Sequence, residues 1–181
     1  GGQRDLHRAD RGQVELCMRD RYVEDRENAK QDIGKGDVRS ILLIEDSPRM
    51  YSVLLPLIYK EIMYQTKNLV NRSLSPSQRL LHLRGRPKIL LTPNYETAQR
   101  FIKKYKNNMI GVISDVRFPK NGINDPKAGL KFAKWVRKID PSIPIMLQST
   151  EVVNEAMAKE VNATFLHKKS KTLLNDLRDF I

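Results

Sequence analysis

Residues 109–114 form an apolar run, Met-Ile-Gly-Val-Ile-Ser, that stops at a single carboxylate, Asp115, four residues before Pro119. An apolar run without polar alternation is the pattern of a strand covered on both faces, as in parallel sheets flanked by helices. Such a strand delivers the residue at its carboxyl end to the rim where open α/β sheets place their ligands. Alone, Asp115 has a plainer explanation, because Asp is a common turn residue. What stands at the ends of the other strands decides between the two.

The arrangement recurs along the chain. Ile41–Ile44 runs into Glu45-Asp46, and Pro87 opens a run over Lys88–Thr92. Pro144–Gln148 is followed by Ser149-Thr150, and Thr164–His167 ends at Lys168. Helical patterns fill the gaps. Ser47 supplies an N-cap and Pro48 a first helical residue, ahead of Met50, Val53, Leu54, Leu57, Ile58 and Ile62 on a 3.6-residue stripe. The helix carries on toward Leu69, breaks at Ser73–Pro76 and resumes as a short turn to Leu83. Further helices are expected over Tyr95–Lys106, Ala128–Arg137, Glu151–Val161 and Thr172–Phe180, with a long loop at 118–127 carrying Asn121-Gly122 and Asp125-Pro126. Five strands alternating with helices imply right-handed crossovers and a doubly wound parallel sheet of class α/β. More than forty residues separate the first two strands, so roughly 64–86 reads as an insertion.

Composition narrows the setting. Of 181 residues, 40% are hydrophobic and 30% charged, the balance of a globular domain. No run nears the ~20 apolar residues needed to cross a bilayer, so no membrane insertion is expected. The start, Gly-Gly-Gln-Arg-Asp, is neither a signal peptide nor an initiator Met, and reads as a cut from a longer chain. The single cysteine, Cys17, excludes a disulfide framework and fits a cytoplasmic location. Residues 1–38 read as an N-terminal helical linker with a thin apolar stripe (Leu6, Ala9, Val14, Leu16, Val23), ended by Gly34-Lys-Gly-Asp37. Residues 39–181 are the domain proper. The net charge of +12 lies beyond residue 40, since the first 40 residues hold nine basic and nine acidic groups. Most of those cations sit beside apolar residues on helices, the pattern of solvated faces.

At the carboxyl ends of the strands stand Glu45 and Asp46, Asp115, Ser149 or Thr150, and Lys168. Three carboxylates on one rim raise one another's pKa unless a cation neutralises them. Mg²⁺, hard and oxygen-seeking, is the natural partner. With the charge screened, Asp115 could attack a phosphoryl group and form an acyl phosphate, while the hydroxyl and Lys168 contact phosphoryl oxygens.

This arrangement resembles the receiver domain of two-component response regulators over residues 39–181, apart from the insertion. The motifs that carry the likeness are Ile-Glu45-Asp46-Ser, Ile-Ser-Asp115, Ser149 and Lys168, in the family's strand order. The resemblance implies a flavodoxin-like sheet of order 2-1-3-4-5 and Asp115 as phosphoacceptor. It implies a metal site of Glu45, Asp46, Asp115 and the main-chain carbonyl of Arg117, with Ser149 and Phe165 as the switch pair. It also implies a histidine kinase or phosphotransfer protein as partner, an attached output domain, and self-association as a homodimer. Catalysis would be limited to the domain's own phosphorylation and dephosphorylation. The chain departs from the family in Glu45 for the usual Asp, and in Lys169 for the Pro that normally follows the lysine, which puts the cis peptide expected there in doubt. The Ile-Glu-Asp-Ser-Pro-Arg start and Phe-Leu-His-Lys ending also resemble receiver modules in large chains with a phosphoenolpyruvate-synthase-like part.

Two rival readings differ in what they require. A phosphorylation-independent pseudo-receiver would regulate an attached domain through its surface and would not bind Mg²⁺. A basic nucleic-acid-binding domain would show salt-sensitive binding, but no nucleic-acid motif is present, and it ranks last. A phosphatase on the same sheet lacks its second acid, because Arg117 occupies the Asp-x-Asp place. Ser149 also suits an N-cap for a helix beginning near Glu151. His7, His82 and His167 lack ligand spacing, and His167 has the pattern of a packing or surface residue. The run Arg79–Lys88 and the aromatic Trp135 read as a solvated face and a core residue.

Overall fold

The computed structural model describes residues 21–72, 75–79 and 85–181. Helix α1 is described over residues 21–32 and stops where Gly34 and Gly36 follow. The apolar runs become strands β1 (Ser40–Ile44), β2 (Lys88–Thr92), β3 (Met109–Asp115), β6 (Ile145–Ser149) and β7 (Thr164–His167). They pair in parallel in the order β2-β1-β3-β6-β7. That is the expected 2-1-3-4-5 sheet once the hairpin inserted after β3 is numbered. The strands read as continuous apolar sequence because the sheet is covered on both sides.

Helices α3 (Tyr95–Tyr105), α4 (Ala128–Ile139) and α5 (Asn154–Glu160) cover one face. Their buried residues, among them Tyr95, Ile102, Phe132 and Val136, close over Leu42, Leu90, Val112 and Leu147. Helices α2 (Pro48–Arg72) and α6 (Leu173–Phe180) cover the other, where Leu54, Ile58, Ile62 and Leu177 meet Leu43, Ile113, Met146 and Leu166. Among the described residues no helix is long and apolar enough to cross a membrane.

The helix beyond Ile62 continues as expected, and two other expectations need adjustment. Helix α2 carries on through 64–72, as its sequence suggests, about 13 Å of helix at 1.5 Å per residue within the stretch read as an insertion. A short helix covers 76–79, and the rest of the expected turn to Leu83 lies outside the described residues. The loop at 118–127 contains a hairpin, β4 (Phe118–Lys120) with β5 (Ile123–Asp125), turned by Asn121 (φ 53°) and Gly122 (φ 76°). Positive φ at both turn residues is the type I′ geometry that an Asn-Gly pair favours. Helix α5 begins at Asn154 rather than near Glu151, because residues 151–154 form a turn tied back to Ser149.

The N-terminal helix packs on this same domain. Ala29 and Ile33 enter the core, and Asp25, fully buried, sits against the start of β2. Residues 1–20 of the expected linker, with Cys17, lie outside the described residues.

Candidate functional site

Side chains two residues apart on a strand share a face. Glu45, Asp115, Gln148 and Lys168 each stand two residues beyond Leu43, Ile113, Met146 and Leu166, which share the cluster beneath α2 and α6. Four neighbouring strands therefore deliver four polar groups to one place at the sheet's carboxyl end. The register aligns them: Ser114 lies opposite Ile44, and Asp115 opposite Gln148.

Lys168 ties the row together. Its Nζ donates to Asp115 Oδ2 at 2.6 Å and to Glu45 Oε2 at 2.8 Å, and its side chain is only 8% exposed. Asp115 Oδ1 accepts from the N–H of Val116 at 2.7 Å. Glu45 is fully buried, with Oε1 accepting from the N–H of Ser47 and Oε2 also taking a hydrogen bond from Gln148 Nε2 at 3.0 Å. One oxygen from each of Glu45, Asp46 and Asp115 lies within 4.8 Å of the others. Asp46 and Asp115 face an open cleft of about 230 Å³, with Lys168 and Ser149 on its wall. That is several times the ~30 Å³ share of one water. Glu45 stands behind them.

The electrostatics ask for a cation. Three carboxylates face one ammonium, which leaves about two negative charges unbalanced. Burial pushes the Glu45 carboxyl above its usual range and the charge of Asp115 adds to this, against the lowering effect of Lys168. Burial is also the largest influence on Asp46, raising it, again with help from Asp115. Lys168 is raised despite burial, by the charges and hydrogen bonds of Asp115 and Glu45, and so is held as an ammonium. A donor set of carboxylate oxygens with a two-charge deficit fits a hard divalent cation.

Of the other expected site residues, Arg117 lines the cleft, and its side chain forms an exposed pair with Glu151 at 3.2 Å. Ser149 Oγ accepts from the N–H of Glu151 at 3.1 Å and from Asn154 Nδ2 at 2.8 Å. It holds the β6–α5 turn rather than capping α5, whose N-cap, Val153, makes no side-chain bond. Phe165 is half-buried on β7 and packs toward the core under α3–α5, opposite in face to Leu166. His167 joins two rim loops, with Nε2 3.1 Å from the carbonyl of Thr150 and Nδ1 accepting from the N–H of Lys169. No described peptide bond is cis, including the one before Lys169.

Three contributors escape a reading from sequence alone. Asn154 anchors Ser149. Gly129 lets α4 begin directly beneath the Asp115 loop: its N–H donates to the carbonyl of Val116, and a Cβ there would lie 2.2 Å from the carbonyl oxygen of Asp115. Gln148 is a fully buried amide in a strand otherwise apolar up to Ser149. That break in the apolar run is visible in the sequence, but its partner, Glu45, lies 103 residues away.

No protein-family model matches the chain, and no curated protein does. Solved structures do. The response regulator receiver domain protein from Clostridium thermocellum superposes with a TM-score of 0.53 at 15% identity, over 78% of this chain and 95% of that one. The phosphorylated cyanobacterial phytochrome response regulator RcpA superposes with a TM-score of 0.51 at 14% identity, over 78% of this chain and 90% of that one. The fold is that of a response-regulator receiver domain. Within it, the acidic cluster of Glu45, Asp46 and Asp115 is a group that could hold a metal ion.

Proposed function

We propose that the chain is a phosphoacceptor receiver, in which cation-dependent phosphorylation of Asp115 switches an interaction surface. The carrying observation is the Lys168 ammonium between Asp115 and Glu45 in a cleft that Asp46 also faces. Asp46 and Asp115, with Glu45 behind them and the main-chain carbonyl of Arg117, would hold Mg²⁺. When bound, Mg²⁺ supplies the charge that lets phosphoryl oxygens approach a carboxylate cluster.

The carboxylate of Asp115 attacks phosphorus, forming an O–P bond as the bond to the leaving group breaks. From a phosphohistidine the P–N bond breaks and the imidazole leaves; from acetyl phosphate the P–O bond breaks and acetate leaves. Lys168, already 2.6 Å from Asp115 Oδ2, neutralises charge on the transferred group. Ser149 accepts two hydrogen bonds through its oxygen, so its own proton is available for a phosphoryl oxygen. Its movement toward the phosphoryl group releases the β6–α5 turn, and Phe165, on the neighbouring strand, repacks with it. The changed surface is that of α5, β7 and α6, a two-state element biased by a local charge change.

The donor is a histidine kinase or phosphotransfer protein, and the reader is an attached output domain or a second copy of the chain. The domain catalyses only its own phosphorylation and dephosphorylation, and it acts in the cytoplasm. Intact-mass measurement after incubation with Mg²⁺ and acetyl phosphate tests the assignment, run beside Asp115→Asn. A gain of one phosphoryl mass in wild type alone is expected. A gain of equal size in Asp115→Asn removes Asp115 from the role, and no gain in either removes the function.

A further inference from the structure

Gln148 occupies a position where the fold asks for an apolar side chain. It lies on the interior strand β6, fully buried, two residues beyond Met146 on the face packed under α2 and α6. A buried amide is disfavoured unless its hydrogen bonds are made. Its Nε2 makes one, to Glu45 Oε2 at 3.0 Å, while its Oε1 has no hydrogen-bond partner among the described residues. As a packing element the residue is therefore a poor choice, and removing both polar atoms would relieve a desolvated carbonyl. What it does provide is direction for one carboxylate oxygen.

That oxygen is shared. Glu45 Oε2 accepts from Gln148 at 3.0 Å and from Lys168 at 2.8 Å, and Lys168 reaches Asp115 Oδ2 at 2.6 Å. The other Glu45 oxygen is fixed by the N–H of Ser47. Glu45 is thus held from both ends, by the backbone through Oε1 and by Gln148 through Oε2, and becomes a fixed pivot for the Lys168 ammonium. During transfer Lys168 has to loosen from Asp115 without leaving the cleft, and a fixed Glu45 is the anchor that keeps it there. Glutamate, one methylene longer than the family's usual aspartate, reaches across to β6, and Gln148 meets it.

We infer that Gln148 is a positioning residue of the phosphoacceptor site, matched to Glu45, that sets the Glu45–Lys168 pair from outside the cleft. The inference rests on the proposed receiver chemistry. Groups that hydrogen-bond to metal-site carboxylates commonly change affinity or rate by about 10–100-fold when removed.

The test uses Gln148→Met, close in volume and without either polar atom, with Gln148→Leu as a second core-compatible variant. Thermal midpoint, Mg²⁺ affinity by calorimetry and the rate of acetyl phosphate labelling are measured for each beside wild type. The expected result is a midpoint equal to or above wild type, with affinity or labelling rate about tenfold or more weaker in both variants. A lowered midpoint with unchanged affinity and rate overturns the inference and makes Gln148 a core residue only. A wild type that neither binds Mg²⁺ nor labels removes the receiver chemistry itself, and the inference with it.

Discussion

Arg86 grips the buried carboxylate of Asp25 with both prongs, Nη2 at 2.9 Å from Oδ1 and Nη1 at 3.2 Å from Oδ2. Tyr59 Oη donates to Oδ2 at 2.8 Å, the N–H of Ile89 does so at 3.1 Å, and Lys88 Nζ lies 3.5 Å from Oδ1. The acceptor comes from α1 and the donors from α2, from the end of the long α2–β2 connection and from β2. One carboxylate therefore fastens the N-terminal helix to the amino end of the sheet, opposite the cleft. Burial, and then the charge of Asp25, hold the Tyr59 phenol far above its usual range, so it stays a donor.

Asp25→Ala leaves Arg86 without its carboxylate and two buried donors without an acceptor. Breaking a buried pair from one side commonly costs about 3–5 kcal/mol. A urea melt should show that loss, with amide exchange in residues 21–32 rising toward that of an undocked helix. Cation affinity should stay at the wild-type value, because the cleft lies at the other end of the strands. Unchanged melting would mean that α1 is not fastened by this carboxylate.

Gly129→Ala addresses the other end. The added Cβ would meet a backbone oxygen at 2.2 Å, and a carbonyl cannot swing aside as a flexible side chain does. Overpacking of this kind costs about 1–3 kcal/mol or more, and here the atom displaced belongs to the peptide that carries Asp115. The expected result is a lower melting temperature together with weaker Mg²⁺ binding. A variant that melts early but binds Mg²⁺ normally would show that the Asp115 loop is not set by the close approach of α4.

Much of this was legible in the chain. The rim residues followed from one rule, that a parallel strand ends at the ligand-bearing edge, and Glu45, Asp46, Asp115, Ser149 and Lys168 all came to the edge that their apolar runs predicted. Legibility ended where a contact needs two distant segments. Asp25 reads as one acid in a mixed-charge helix, and only its meeting with Arg86 and Lys88, more than sixty residues on, makes it a buried anchor. The hairpin at 118–125 was in reach, since Asn121-Gly122 is a strong turn signal. Pro119 and the short flanks concealed it. Glu151 and Val152 fit a helix by sequence, yet the Ser149 hydroxyl draws the N–H of Glu151 into a turn, and α5 starts only at Asn154.

Lys168→Met tests the charge row directly. It leaves Glu45, fully buried, with the Gln148 amide and the Ser47 N–H but no cation. The expected cost is about 3–5 kcal/mol at neutral pH. Much of it should vanish in acid, where Glu45 takes up a proton. Acetyl phosphate labelling should be lost over the whole range. A loss of stability independent of pH would place the effect in packing of the lysine stem instead.

The same carboxylates predict how the cation stabilises the fold. In the cation-free protein Glu45 and Asp46 are raised, chiefly by burial, from ordinary values of 4.5 and 3.8. The folded state therefore binds these protons more tightly than the unfolded chain. Their contribution to stability is most favourable below the ordinary values and declines as pH rises from there through the raised folded pKa values. Ionising them in the folded protein carries a cost that a bound divalent cation relieves. Asp125 and Asp140 are shifted the other way, down, each chiefly by a side-chain hydrogen bond, and their support is lost only below the ordinary aspartate range. They cancel when the same protein is compared with and without cation. Mg²⁺ at about a hundred times its dissociation constant should add about 2.7 kcal/mol, or about 5–10 °C in melting temperature for a chain of this size. That gain should be larger at about pH 7 than at about pH 5, as protons compete for the site. In Glu45→Gln the dependence on pH should flatten. A gain from Mg²⁺ that is the same at both pH values would mean the cation binds somewhere other than this carboxylate cluster.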